Sequence, residues 1–255
     1  MFRACEAGTP LAPHSHMARN QFSPDEAFPA IPEQVSAFLR SVYGWMCAGL
    51  GITATTAWII AGSPAAIGAI GASPLLFWGL VVAQLVIVVV LSARVAQLAP
   101  LTAALLFVAY AVLTGATLSF VFLAFTGESI ATTFLVTAGM FGGLALYGTA
   151  THRSLQGLAQ FLFMGLIGVV LASIVGLFWH SDALQFLIAF AGVIVFSGLS
   201  AYDAQRLSAM ADTAPADRIG SYAVVGALAL YLDFINLFLS LLRFLGKRRD
   251  WPVVG

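Results

Sequence analysis

Apolar residues run through this chain in stretches of about twenty, separated by polar links, and the stretches show no alternation of period two. A helix needs roughly 20 apolar residues to cross about 30 Å of hydrocarbon. The pattern therefore predicts seven spans, at about 41–61, 74–93, 101–125, 130–150, 158–179, 183–203 and 222–246. A membrane β-barrel would show segments of about ten alternating residues instead. The breakers agree with these limits: Gly62-Ser63-Pro64 and Ser73-Pro74 bracket the first link, Pro100 opens the third span and Thr126-Gly127-Glu128 closes it. Every link is short except 204–221, so no extramembrane domain fits between spans. The fold class is an all-α polytopic membrane protein with seven transmembrane helices.

The last run, Ser221 to Gly246, carries a polar stripe. Gly226, Ala229, Asp233, Asn236, Ser240, Arg243 and Lys247 follow one another at steps of three and four, the period of one helix face. Small residues on such a stripe permit close packing of helices. A carboxylate does not serve packing, and at the bilayer centre it costs at least about 2.5 to 3.5 kcal/mol on insertion scales, so Asp233 should face protein or water. Asn236, Ser240 and Arg243 are then candidates to face the same path.

Composition narrows the class. The chain is 60% hydrophobic and 9% charged, against roughly 25% charged in soluble domains. Its formal net charge is zero and no basic block points to nucleic acid. Cys5 and Cys47 do not make a disulfide framework or a metal spacing. Residues 1–36 hold Pro10, Pro13, Pro24, Pro29 and Pro32 without apolar periodicity, and read as a disordered N-terminal tail ahead of a membrane domain at 37–250 and a short C-terminal tail at 251–255. His14 and His16, in that tail, lack the further ligands of a metal site.

Positive charge gives an orientation. With the N-terminus cytoplasmic, Arg3, Arg19, Arg40, Arg94, Arg153, Arg206 and Arg218 all fall on the cytoplasmic side, and the first, third and fifth links have no basic residue. Lys247, Arg248 and Arg249 break the rule if the last segment crosses fully; a re-entrant last segment would obey it. The absence of an internal Gly or Pro after Gly226 favours the full crossing. Glycines in the spans, Gly44, Gly49, Gly51, Gly139, Gly143, Gly165 and Gly168, are expected to allow close helix packing. Thr53, Thr55, Thr56, Tyr110, Thr114 and Thr117 could line a path, but bonding carbonyls one turn back on their own helices is the expectation for them.

Asp203, in SAYDAQRL, ends the sixth predicted span, so spans six and seven form a hairpin in which Asp203 and Asp233 can meet. Two carboxylates at close range in a low dielectric do not both ionise easily, and one proton would be shared between them. Such a pair is a proton-sensitive latch or a cation ligand. Ca²⁺ takes carboxylate oxygens but wants six to eight, so Asp203 and Asp233 suit a permeant or transient Ca²⁺ and no tightly bound cofactor. Arg94, at the end of the second span, is the candidate cationic partner.

The stretches VYGWMCAGLGITATTA (42–57), YAVLTGATLSFVF (110–122), TAGMFGGLALYGTATHRSLQGL (137–158), SAYDAQRL (200–207) and GALALYLDFINLFLSLLRFLG (226–246) resemble the Bax inhibitor-1, or transmembrane Bax inhibitor motif, family in a bacterial form. The resemblance implies a last span wrapped by the other six. It also implies a pH-sensitive Ca²⁺ leak in the bacterial inner membrane, latched by paired aspartates that map onto Asp203 and Asp233, with Arg94 joining the latch. Ser154 departs from the family, whose members often carry an acidic residue there.

Two other classes are weighed against the leak. An intramembrane aspartyl protease would use Tyr202-Asp203 and Asp233, but Tyr231-Leu232-Asp233 lacks the glycines of the GxGD motif, so no enzyme is expected. An interaction protein, modulating a membrane-anchored quality-control protease through the N-terminal tail, is the alternative function. Expected partners are thus the lipid bilayer, Ca²⁺ and H⁺, and in the alternative a membrane protease.

Overall fold

The computed structural model describes residues 33–179, 181–211, 213–215 and 217–249. Most of the tail, with Cys5, His14 and His16, and residues 250–255 lie outside the described residues. The described chain forms eight helices: α1 (Glu33–Ala61), α2 (Pro64–Ala72), α3 (Pro74–Ala93), α4 (Pro100–Ala124), α5 (Gly127–Ala150), α6 (Gln156–Phe178), α7 (Asp182–Ala211) and α8 (Ile219–Leu245). All but α2 are long and apolar enough to cross a membrane.

Three boundaries differ from expectation. Helix α1 begins at Glu33, not at 41, because Val35, Phe38, Leu39, Val42 and Met46 continue one buried face upstream, so 33–36 belong to the helical body and not to the tail. Helix α7 runs past Asp203 to Ala211 for the same reason, with Ala204, Leu207 and Ala211 buried at helical spacing. The first link contains α2. Ser63 and Ser73 accept hydrogen bonds from Ala66 N at 3.4 Å and Leu76 N at 3.3 Å, each followed by proline at the first helical position. Both Ser-Pro pairs start helices here; they do not merely interrupt them.

Helix α8 is central. In its most apolar stretch 61% of residues are buried, against at most 39% in any other span. It packs on α7, α1, α5 and α4, while α3 and α6 lie outermost, with 6% and 11% of their apolar stretches buried. Its ends settle the crossing. At its start Arg218 Nη1 donates to Ala96 O at 3.0 Å and Ser221 Oγ to Leu98 O at 2.7 Å, both in the α3–α4 link. At its finish Lys247 N donates to Ser129 Oγ at 2.8 Å, Thr126 N to Lys247 O at 3.2 Å and Arg249 N to Ala124 O at 3.0 Å, all around the α4–α5 link. The two ends of α8 thus meet the two ends of α4, so α8 crosses the same thickness. A re-entrant segment would return to the end it left.

Few of the expected glycines serve close packing. Gly49 and Gly165 have neighbours that would crowd a Cβ, Phe107 Cζ at 2.5 Å and Val195 Cγ2 at 2.9 Å. Gly44, Gly51, Gly168 and the GxxxG pair Gly139 and Gly143 have open space there. The tight approaches are at Gly148, where a Cβ would strike the Ala201 carbonyl of α7, and at Gly115, where it would lie 2.7 Å from Thr53 O of α1.

Candidate functional site

The seam between α7 and α8 is set by two glycines. A Cβ on Gly226 would lie 2.6 Å from Leu207 Cδ2, and one on Gly192 would collide with Ser240 Oγ. The antiparallel register these contacts fix carries Asp203, one turn from Leu207, toward Asp233 on α8. The two carboxyls come within hydrogen-bonding reach of each other. Asp233 is 6% exposed and Asp203 is half-buried. Asp233 Oδ2 is the one fully buried side-chain polar atom among the described residues without a hydrogen-bond partner. In native proteins such groups are rare, and leaving one unpaired costs about 1 to 3 kcal/mol, more for a charge.

Two cavities lie along the polar stripe of α8, and Asp203 lines the first. One of about 230 Å³ opens between the end of α3, α7 and α8, and is lined by Ser92, Asp203, Arg206, Gly226, Ala229 and Leu232. The other, of about 370 Å³, lies toward the opposite end of α8 and is lined by Asn236, Ser240 and Arg243 with Ser173, Gly176 and Gln185 of α6 and α7. The polar stripe of α8 thus divides: its first half faces one cavity, its second half the other, with Asp233 between. Asn236 Nδ2 donates to Leu232 O at 2.8 Å and Ser240 Oγ to Asn236 O at 2.7 Å, so these donors are held on their own helix while lining the cavity.

Arg94 is not brought to the aspartates. It caps the C-terminus of α3, its side chain is exposed, and the ion pair found among the described residues joins Arg218 to Asp217 at 3.3 Å. Its neighbours Ser92 and Val95 line the first cavity, but Arg94 itself does not. The arginine inside the cavity is Arg206, one turn beyond Asp203 on the same helix. No group of three or more His, Cys, Asp or Glu side chains that could hold a metal occurs among the described residues.

Sequence reasoning missed a second polar cluster on the other face of α8. Thr53 Oγ1 of α1 donates to Ala111 O of α4 at 2.9 Å and lies 2.6 Å from the Tyr231 hydroxyl, all buried. Thr114 Oγ1 donates to Gln84 Oε1 of α3 at 3.2 Å. Thr53 and Thr114 bond across helices, whereas Thr55 bonds Gly51 O at 2.8 Å as expected. Tyr231 is fully buried, edge-on to Phe107 and Tyr110 with ring centroids 5.8 and 5.7 Å away. A further missed residue is Gln205. It accepts from Leu155 N at 2.9 Å and donates to Arg153 O at 2.9 Å, stapling the α5–α6 link to α7 two residues from Asp203.

Comparison with known proteins covers this same body. The family model described as "Inhibitor of apoptosis-promoting Bax1" matches residues 35–250. Inner membrane protein YbhL of Escherichia coli (strain K12) is 48% identical over 218 residues, 84% of this chain and 93% of that protein. An uncharacterized protein of Borreliella burgdorferi is 42% identical over 218 residues, with 84% and 93% covered, and one of Deinococcus radiodurans is 39% identical over 219 residues, with 86% and 93% covered. Matches of that length and identity, running from the first turns of α1 past the end of α8, make this chain a member of the Bax inhibitor-1 family of polytopic membrane proteins.

Proposed function

We propose that this protein is a proton-sensitive leak path for Ca²⁺ in the bacterial inner membrane, closed where Asp203 of α7 meets Asp233 of α8. The observation that carries the reading is the buried Asp233 Oδ2 without a partner. A proton held between the two carboxyls is the donor this atom lacks, and it ties α7 to α8 beside the cavity that Asp203 lines. When both carboxyls ionise, repulsion in a low dielectric separates them unless a cation, Ca²⁺ or a guanidinium, lies between. The α7–α8 contact is therefore kept on the acid side of the transition and lost on the alkaline side, and conduction titrates with it. In this reading the pair is a latch and the protein is not an enzyme.

Ca²⁺ flux into dye-loaded liposomes between about pH 6 and pH 8 tests the reading, because a free aspartate, with a pKa near 3.9, would not titrate there. Asp203→Asn and Asp233→Asn keep the shape and a hydrogen-bonding amide but remove one titrating group each. Each is expected to flatten the pH response, and Asp233→Asn to slow cation entry as well. A parent midpoint and amplitude retained by both variants would reduce the pair to a structural contact. A parent without flux at any pH would favour the modulator of a membrane protease.

A further inference from the structure

Four cations at the end of α8 are explained neither by the aspartate seam nor by the charge rule: Arg243, Lys247, Arg248 and Arg249. The backbone shows why they stay there, since residues 247–249 are clamped to the α4–α5 link by the bonds to Ser129, Thr126 and Ala124 and by an antiparallel bridge between Phe125 and Arg248. The clamp brings Arg248 and Arg249 beside Arg243. All three line one open cavity of about 530 Å³, with Asp182 and Gln185 from the start of α7 on its wall. Arg243 and Arg248 are near enough to repel. Among the described residues the ion pair found is Arg218 with Asp217, so none of the three guanidiniums is bonded to a described carboxylate, although Asp182 shares the cavity wall.

Beside this cavity sits an apolar surface of a particular kind. Phe186 and Phe190 stack with centroids 6.3 Å apart, and Phe244, next to Arg243, lies 5.3 Å from Phe186. All three remain 42% to 54% exposed on the outer surface of the bundle. Aromatic rings directly against a basic cavity at a helix end match the boundary between headgroups and acyl chains. Guanidinium forks bind phosphate oxygens in bidentate fashion, and an anion there relieves the repulsion among the arginines.

We propose that the cavity of Arg243, Arg248 and Arg249 binds a phosphate group, carried by an anionic phospholipid whose first acyl segments lie on Phe186, Phe190 and Phe244. Zwitterionic headgroups fit worse, because choline or ethanolamine would add a fourth positive charge. Full-length protein is reconstituted in nanodiscs of phosphatidylcholine with a minor fraction of phosphatidylglycerol, released into mild detergent, and its retained lipid counted by native mass spectrometry. Preferential retention of phosphatidylglycerol is expected, falling by at least about tenfold in the triple variant Arg243→Gln, Arg248→Gln, Arg249→Gln. Asp182→Asn is expected to strengthen the preference by removing the carboxylate on the cavity wall, and Asp182 is exposed, so folding is not at stake. Binding of inorganic phosphate to delipidated protein, arginine-dependent and without lipid preference, would keep the phosphate site and assign it to the free anion. Equal retention of both lipids by the parent, with no arginine-dependent phosphate binding, overturns the proposal. Should the triple variant fail to fold, Arg249→Gln and Asp182→Asn carry the test, and a preference moved by neither overturns it.

Discussion

Thr53 has one hydroxyl hydrogen, and it goes to Ala111 O, so the 2.6 Å contact with Tyr231 is a bond that the tyrosine donates. That direction ranks two substitutions. Tyr231→Phe removes one donor and should cost about 1 kcal/mol, whereas Thr53→Val leaves the buried tyrosine hydroxyl without its acceptor and should cost about 1 to 3 kcal/mol. Unfolding in detergent checks the order, and a Tyr231→Phe protein less stable than Thr53→Val would reverse the assigned donor. Arg94 is different in kind, since its side chain is exposed and makes no ion pair with a described residue, while its neighbours Ser92 and Val95 line the Asp203 cavity. If it supplies the guanidinium that meets the ionised pair, Arg94→Ala should change the pH response of Ca²⁺ flux and Arg94→Lys should restore it only in part, because lysine lacks the bidentate fork. Flux with an unchanged pH response in both variants would leave Arg94 a membrane anchor.

Helix α5 lies so close to α7 at Gly148 that any Cβ there meets the Ala201 carbonyl, two residues from Asp203. Gly148→Ala must push the helices apart and should cost about 1 to 3 kcal/mol, as overpacking does, while Gly143→Ala, with open space around it, should be neutral within error. Thermal unfolding of the two purified variants separates them, and equal stabilities would refute the close approach. This contrast marks what the sequence can and cannot tell. The seven spans and the polar stripe of α8 were legible because length and period belong to a single helix. Which glycine touches a neighbour depends on the partner helix, so the GxxxG pair was read as a contact and Gly148 was passed over. The same limit hid the Thr53 to Tyr231 bond, 178 positions apart in the chain. Helix ends were misjudged where apolar periodicity continues past the bilayer, at Val35 and Leu207, and where Ser-Pro caps a helix in place of ending one. The aspartate pair was legible because spans six and seven are consecutive and antiparallel, which leaves few ways for the two carboxyls to avoid each other.

Across the whole molecule, α8 begins at the α3–α4 link and finishes at the α4–α5 link, and this fixes the parity of the topology independently of charge. Seven full crossings put the start of α1 and residues 247–249 on opposite faces of the membrane. Charge then chooses which face is which. Arg94, Arg153, Arg206 and Arg218 all belong to the end where α8 starts, and loop arginines favour the cytoplasm. Against them stand Arg243, Lys247, Arg248 and Arg249 at the other end, but these follow the last span, when six crossings have already been committed. Their backbone is also held by the α4–α5 link, so they gain a place in the fold that a loop charge lacks. A reporter fused after residue 20 should therefore read cytoplasmic and one fused after Gly255 periplasmic. Both reporters on one face would mean an even number of crossings, and α8 would then have to leave the α4–α5 link to which three hydrogen bonds now join it. Opposite faces with the N-terminus outside would keep the fold intact and show instead that the four terminal cations outweigh the loop arginines in choosing its direction.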